Sequence, residues 1–242
     1  MKGKLRSALR DFYHFLVFCR RRWTLEPEME VVYRSLFLRN LENLAVQDEF
    51  FPVKGAANHS LLYLISRCLI EFPISKVLEF GAGQTSVLLD RVSARFPDRQ
   101  WEITTVEQDP FWVGRIGQAV HHRVIHAPLT EKNVAGRKIR FYDFDQAKSQ
   151  TGIELAIVDG PTADSHANQW NRTGAAGYLK DWLAGDFIVI FDDAERVGER
   201  AGADMLAESL EAKKIRFFAS TTRAEKQQRL LCSEKFRAAA YF

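Results

Sequence analysis

Cysteine is scarce in this chain. Cys19, Cys68 and Cys232 are the only three among 242 residues and share no paired spacing, which argues against a disulfide framework and a zinc site and fits a reducing cytoplasm. Long apolar runs are missing too. The longest in the N-terminal stretch, "FLVF", is far too short to span a bilayer, and no small-residue cleavage site follows it, so the segment neither spans nor exports. There is no internal repeat and no low-complexity tract. A formal charge of +3 is too small to argue for a nucleic-acid partner. What remains, at 46% hydrophobic and 27% charged residues, is an ordinary globular composition able to bury one sizeable core.

The small net charge conceals an uneven distribution. Residues 1–23 carry Lys2, Lys4, Arg6, Arg10, Arg20, Arg21 and Arg22 against Asp11, a local +6 that leaves −3 on the remainder. In the same stretch Leu5, Leu9, Phe12, Leu16, Cys19 and Trp23 recur every three or four residues, one face of a helix. Two readings stand side by side. The helix lies at an interface, apolar face in lipid and arginines on anionic headgroups, which would make the protein peripheral to the inner face of the membrane. Alternatively it packs on its own domain or on a second subunit of a homodimer. Residues 1–54 are thus expected to form a basic helical extension and residues 55–242 the principal domain.

Along the chain, "LEPEMEVVYRSLFLRNLENLAV" has amphipathic helical spacing, and "FFPVKGAANHS" is a loop punctuated by Pro52 and Gly55. Asn58 or Ser60 can cap the helix "LLYLISRCLIEF", which ends before Pro73. Short apolar runs then alternate with helical segments: "KVLEF", a helix from Thr85, "WEITTVE", a helix from Pro110, and "RVIHA". A loop-rich insertion is expected at 129–150. "IELAIVD", a helix around Ala175 to Leu183, "DFIVIFD", a helix from Ala194, "IRFFAS" and "QRLLCS" follow. Alternating strands and helices predict an α/β fold, a mostly parallel sheet covered on both faces, with ligands bound at the carboxyl ends of the strands.

Four of those ends are acidic: Glu79 before "GAGQTS", Glu107 before "QDP", Asp159 before "GP", and Asp192 with Asp193. Such a rim suits a ligand with a positive centre better than an anionic pyrophosphate. Gly81 and Gly83 allow a tight turn and close backbone approach, while Thr85 and Ser86 open a helix whose free N–H groups point outward. The third glycine of a dinucleotide fingerprint would stand at Ser86, so an NAD-dependent oxidoreductase is disfavoured but stays a rival. Glu107 falls 24 residues after Gly83, near the place where a carboxylate accepts hydrogen bonds from ribose hydroxyls.

"LEFGAGQTS", "TTVEQDP", "LAIVDGP" and "FIVIFDD", in that order, resemble the class I S-adenosylmethionine-dependent methyltransferases over about residues 55–235. The resemblance implies a doubly wound, mostly parallel seven-stranded Rossmann-like sheet and S-adenosylmethionine as cofactor. It implies that Glu79 helps hold the cofactor's methionine end, that Gly81, Ala82 and Gly83 wrap the methionine and ribose, that Glu107 meets the ribose diol, and that His126 to Pro128, with Ala127 between them, lie beside the adenine.

Methyl transfer from a sulfonium is an in-line displacement that needs an aligned acceptor and a place for its proton. The resemblance places Asp159 between cofactor and acceptor, as a cofactor-binding residue that is also the expected general base, or a ligand to a metal that acidifies the acceptor hydroxyl. Asp159, Asp192 and Asp193 resemble the carboxylates of magnesium-dependent small-molecule and sugar O-methyltransferases, which implies Mg²⁺. The competing reading makes Asp192 and Asp193 a helix cap and first-turn acid. "HANQWNRTG" should overhang the acceptor pocket, so His166 can serve as a base and Arg172 can pair an acidic group of the substrate, with Lys54 beside them. Trp101, Trp112, Trp170 and Trp182 are expected to fill core or loops. The expected function is O-methylation of a hydroxylated small molecule or glycan without nucleic acid. A non-catalytic cofactor-binding module, docked through its arm on a membrane or partner, is the alternative of another class.

Overall fold

A computed structural model describes residue 12 and residues 24–53, 55–144 and 150–242. The expected basic helix of residues 1–23, Lys54, and residues 145–149 of the insertion lie outside the described residues, apart from residue 12. No helix among the described residues is long and apolar enough to cross a membrane.

Helix α1 runs Met29–Asn43 and α2 runs His59–Glu71. Asn58 caps α2, its side chain accepting from Leu61 N at 3.4 Å, and the helix stops at Phe72, ahead of Pro73, where the proline disfavours a further helical turn. Strand β1 (Lys76–Phe80) leads into α3 (Gln84–Ser93), β2 (Glu102–Glu107) into α4 (Pro110–Gly117), and β3 (Arg123–His126) follows. Asp109 caps α4 by accepting from Phe111 N at 2.9 Å, with Pro110 in the first turn, where a missing N–H costs nothing.

The stretch after β3 is not the loop-rich insertion expected. It folds as an antiparallel hairpin, β4 (Leu129–Val134) and β5 (Arg137–Tyr142). Its two-residue turn holds Ala135 at φ 49 and Gly136 at φ 77, the left-handed pair that matches strand twist. The polar residues of "LTEKNV" hid this strand, because only part of one face is covered. Strand β6 (Ile153–Val158), helix α5 (Gly174–Trp182), strand β7 (Leu183–Phe191), helix α6 (Val197–Ala212) and the antiparallel pair β8 (Phe217–Arg223) and β9 (Gln227–Ser233) complete the chain.

The main sheet has seven strands in the order β3-β2-β1-β6-β7-β9-β8, parallel from β3 to β7, with β9 antiparallel to both neighbours. This is the doubly wound, mostly parallel, seven-stranded Rossmann-like sheet that the motifs led one to expect. Because side chains alternate along a strand, the parallel strands β1, β2, β6 and β7 feed two cores. Val77, Leu155, Ile157, Ile188 and Ile190 pack with α2 and α3 on one face; Leu78, Phe80, Val158, Val189 and Phe191 pack with α5, α6 and the hairpin on the other. Phe37 and Leu41 of α1 are buried in the first of these cores. The described part of the expected 1–54 extension is therefore built into the domain, since an amphipathic helix with a free apolar face packs where that face can be covered.

Candidate active site at the strand ends

Register places the candidate residues on one line. Phe80 pairs with Val106 and with Val158, and Val158 with Phe191. Gly81, Glu107, Asp159 and Asp192 each follow one of these four residues, so they finish flush across four adjacent strands. The backbone continues this order: Gly81 N donates to Val106 O at 2.9 Å, Asp159 N to Phe80 O at 3.0 Å, and Asp192 N to Val158 O at 3.1 Å.

Gly81 turns out of β1 at φ +96, a conformation that favours glycine. A Cβ there would stand 3.0 Å from the Asp159 carbonyl and Gly160 N. Gly160 in turn has no room for a Cβ, which would fall 2.3 Å from Tyr142 Oη and 2.7 Å from Gly81 Cα. The ends of β1 and β6 are thus in backbone contact. A Cβ on Gly83, by contrast, would meet nothing within 4 Å, so the top of the loop faces open space.

Glu107 ties this loop to the next strand. Its Oε2 accepts from Ala82 N at 2.8 Å, and its Oε1 from Gln108 N at 2.7 Å and Asp109 N at 2.8 Å. Three backbone N–H donors hold the carboxylate in one orientation. Glu79 lies one residue inside the sheet and is fully buried. Its Oε2 accepts from Ser86 Oγ at 2.5 Å and Thr105 Oγ1 at 2.6 Å, while Oε1 has no hydrogen-bond partner. Ser86 Oγ also accepts from Gly83 N at 3.1 Å, so the glutamate holds the glycine loop through a hydroxyl. Burial pushes Glu79 up to about 7, against the pull of its hydroxyl donors. Thr85 is buried beside it in the first turn of α3.

Ala127 is buried behind Glu107, its N–H donating to the Glu107 carbonyl at 2.8 Å. Gln108 is held from two sides, by His126 Nε2 at its carbonyl oxygen (3.0 Å) and by Thr162 Oγ1 at its Nε2 (3.2 Å), and its own Oε1 is buried without a partner. Of the four tryptophans expected to fill core or loops, three pack: Trp101 with Phe96, Trp170 under Arg137, and Trp182 with Phe144 and Tyr178. Trp112 departs from expectation. It is 41% exposed in the first turn of α4, edge-on to an exposed Phe111, because α4 presents little of that turn to the core.

On the other side of the loop stands a dense ion cluster. Asp159, Asp192 and Asp193 bring ligand-type oxygens within 4.8 Å of one another, as their positions at neighbouring strand ends led one to expect. Their partners are protein cations. Arg172 lies 3.2 Å from Asp159 Oδ1 and 3.1 Å from Asp193 Oδ2, donates to Pro161 O at 3.1 Å, and has Glu199 at 3.8 Å. It is 6% exposed, so its guanidinium is committed to the protein's own acids instead of standing open to a substrate acid as expected. Burial, with Asp192 and Asp193 alongside, pushes Asp159 up to about 7 despite Arg172; Asp159 keeps a fifth of its side chain exposed. Burial likewise pushes Glu199 up to about 7.

His166 is not brought to this cluster. It sits exposed on the loop after β6, where its carbonyl accepts from Gln169 Nε2 at 3.2 Å. Two groups that the sequence did not single out are present. Tyr142, stacked on Phe80 at 5.8 Å, buries its Oη under Gly160 without a partner. Lys226, from the turn before β9, reaches Asp192 and Asp193. No local signal marks either residue, since the hairpin and the antiparallel return bring them in from far along the chain.

No family model matches the sequence, and no curated protein matches it. Solved structures resemble it at low identity. A SAH-bound methyltransferase from Podospora anserina is 12% identical with a TM-score of 0.47, covering 91% of this chain and 94% of that one. The O-methyltransferase TomG from Streptomyces achromogenes, in complex with SAM and involved in tomaymycin synthesis, is 12% identical with a TM-score of 0.44, over 90% and 94%. An O-methyltransferase from Bacillus cereus in complex with SAH is 13% identical with a TM-score of 0.47, over 83% and 91%.

Proposed function

We propose that this chain is an S-adenosylmethionine-dependent O-methyltransferase acting on a hydroxylated small molecule or glycan. The observation that carries the reading is the flush row of strand ends, in which a glycine turn is pinned to Glu107 through Ala82 with Asp159 on its other side. The residues fit such a cofactor. The loop top is open at Gly83, two buried carboxylates flank it, and Glu79 Oε1 and Gln108 Oε1 are buried acceptors without partners, as a site built to receive hydrogen-bond donors requires.

Glu107 would hold the ribose end, Gly81 to Gly83 the sugar and methionine backbone, and Glu79 the ammonium end through the loop it supports. When bound, S-adenosylmethionine supplies a methyl group on a positively charged sulfur. Asp159 faces the acceptor side, and its raised affinity for protons suits a base that must take one from a hydroxyl near neutral pH. Arg172 keeps that carboxylate oriented from behind. Glu107, held by backbone N–H groups, favours the cationic cofactor over its neutral product.

For the segments outside the described residues, the basic character of residues 1–23 supports contact with anionic lipid at the inner face of the membrane, which would place lipid-linked glycans within reach. The deciding experiment is calorimetry of the full chain with S-adenosylmethionine, S-adenosylhomocysteine and NADH. Saturable binding of the first two is expected. Heat with NADH alone would overturn the reading in favour of an oxidoreductase.

A further inference from the structure

Lys226 lies in the turn between β8 and β9. Its Nζ is 3.0 Å from Asp192 Oδ2, 3.1 Å from Asp193 Oδ1 and 3.5 Å from the Ala56 carbonyl. The second oxygen of Asp192 accepts from Gln228 Nε2 at 2.8 Å, and the second oxygen of Asp193 is met by Arg172 and Arg196, each at 3.1 Å. With Arg172 on Asp159, every carboxylate of the acidic triad already has a positive partner from the chain itself. Asp192 is fully buried and Asp193 nearly so. Carboxylates buried this deeply are tolerated only when paired and hydrogen-bonded.

The ammonium is fixed in place by its neighbours in the turn. Glu26 N donates to Ala224 O at 3.2 Å, Glu225 N to Glu30 Oε2 at 3.4 Å, Gln227 N to Glu195 Oε2 at 2.9 Å, and Ala194 N to Gln227 O at 2.7 Å. Gln227 Nε2 also donates to the Thr24 carbonyl. Next to it, Gln228 joins Asp192 to Asn58 and Ser60, and Glu30 closes the network onto Asn58 and Ser60. Elements from both ends of the chain therefore converge to hold one lysine over two aspartates.

A magnesium ion demands near-octahedral oxygen ligation at about 2.0–2.1 Å, so taking up residence here would require expelling this ammonium from its carboxylates. The residues do not fit the metal that the three aspartates alone suggested. We propose that Lys226 is the resident cation of the Asp159, Asp192 and Asp193 triad, and that it serves as a positioning residue which lets the acceptor site work without a divalent metal. Lys226 and Arg172 then supply the positive charge beside Asp159. The role given to the acceptor rests on the methyl-transfer reading; the assignment of the cation does not.

The test is Mn²⁺ binding to the full chain, followed by the electron paramagnetic resonance signal of free Mn²⁺, with Mg²⁺ calorimetry beside it. Wild type is expected to show no saturable binding below about 1 mM. Lys226→Met, which keeps the length and removes the charge, is expected to gain one site per chain at least about tenfold tighter, lost again when Asp192→Asn is added. One Mn²⁺ bound per wild-type chain and abolished by Asp192→Asn overturns the proposal, as does a folded Lys226→Met chain that gains no site. Should Lys226→Met fail to fold by circular dichroism, Lys226→Gln replaces it, and the wild-type titration decides by itself if both fail. S-adenosylmethionine calorimetry on the same samples separates the two claims: metal results as expected with no cofactor binding would sink the methyl-transfer reading and leave the cation assignment standing.

Discussion

Glu107 and Ala82 are joined across two loops, the glutamate Oε2 accepting from the alanine N–H at 2.8 Å. Through that bond the end of the second strand sets the shape of the turn that follows the first. Because the same carboxylate also gathers two N–H groups of its own loop, it organises the site before any ligand arrives, and preorganisation of this kind lowers the cost of binding.

Glu107→Ala should therefore weaken S-adenosylmethionine binding by at least about tenfold, since hydrogen bonds to a charged group contribute about 1.5–3 kcal/mol. Glu107→Gln should lose less. Calorimetry reads both, and an unchanged dissociation constant in the alanine variant would remove Glu107 from the site.

Glu79 predicts a pH dependence of stability. Its folded value of about 7 lies above its ordinary 4.5, so the folded chain keeps this proton longer than the unfolded chain does. The contribution is complete below about pH 4.5 and is lost as pH rises through about 7, a change on the order of 2–3 kcal/mol. Glu79→Gln removes the ionisation, so its stability curve should lack that decline. Parallel denaturation curves for both proteins between pH 5 and 8 would contradict the assignment.

Asp159→Asn tests the chemistry separately from cofactor binding. Once an acceptor is identified, turnover should fall roughly 10²- to 10⁴-fold while the cofactor dissociation constant stays within about threefold. A variant with full turnover would leave proton removal to another group.

Arg172→Met should be costly for stability, because it takes the cation from Asp159 and leaves Asp193 and Glu199 with fewer positive partners, all three lying within 3.8 Å of the guanidinium. Breaking a buried pair from one side costs about 3–5 kcal/mol, which for a chain of this size lowers Tm by roughly 10 °C. A shift of a degree or two would show that the cluster is solvated.

The contact between the ends of β1 and β6 is tested by Gly160→Ala. The added methyl would collide with Tyr142 Oη and the Gly81 backbone, and such overpacking costs about 1–3 kcal/mol. Gly160→Ala combined with Tyr142→Phe should recover part of the loss, because one of the two obstacles is then removed.

The parallel strands and the helices between them were legible in the sequence because each strand carries its own apolar alternation and ends on its own polar residue. "KVLEF" before "GAGQTS" needs no distant partner to be recognised. The hairpin Leu129–Tyr142 was illegible, since its outer strand is half exposed and reads as polar loop. Trp112 misled in the opposite sense: an aromatic in a helix suggests burial, and here α4 leaves it at the rim.

Determined by the sequence alone were which acids finish the strands and that a glycine turn lies among them, because strand period and turn chemistry are local properties. Only the tertiary structure decided what meets those acids. Arg172 closes on Asp159 and Asp193 from a loop, and Lys226 reaches Asp192 from a turn 34 residues further on. Which of the chain's own cations faces a buried carboxylate depends on the path of the chain through space, which no spacing of residues records.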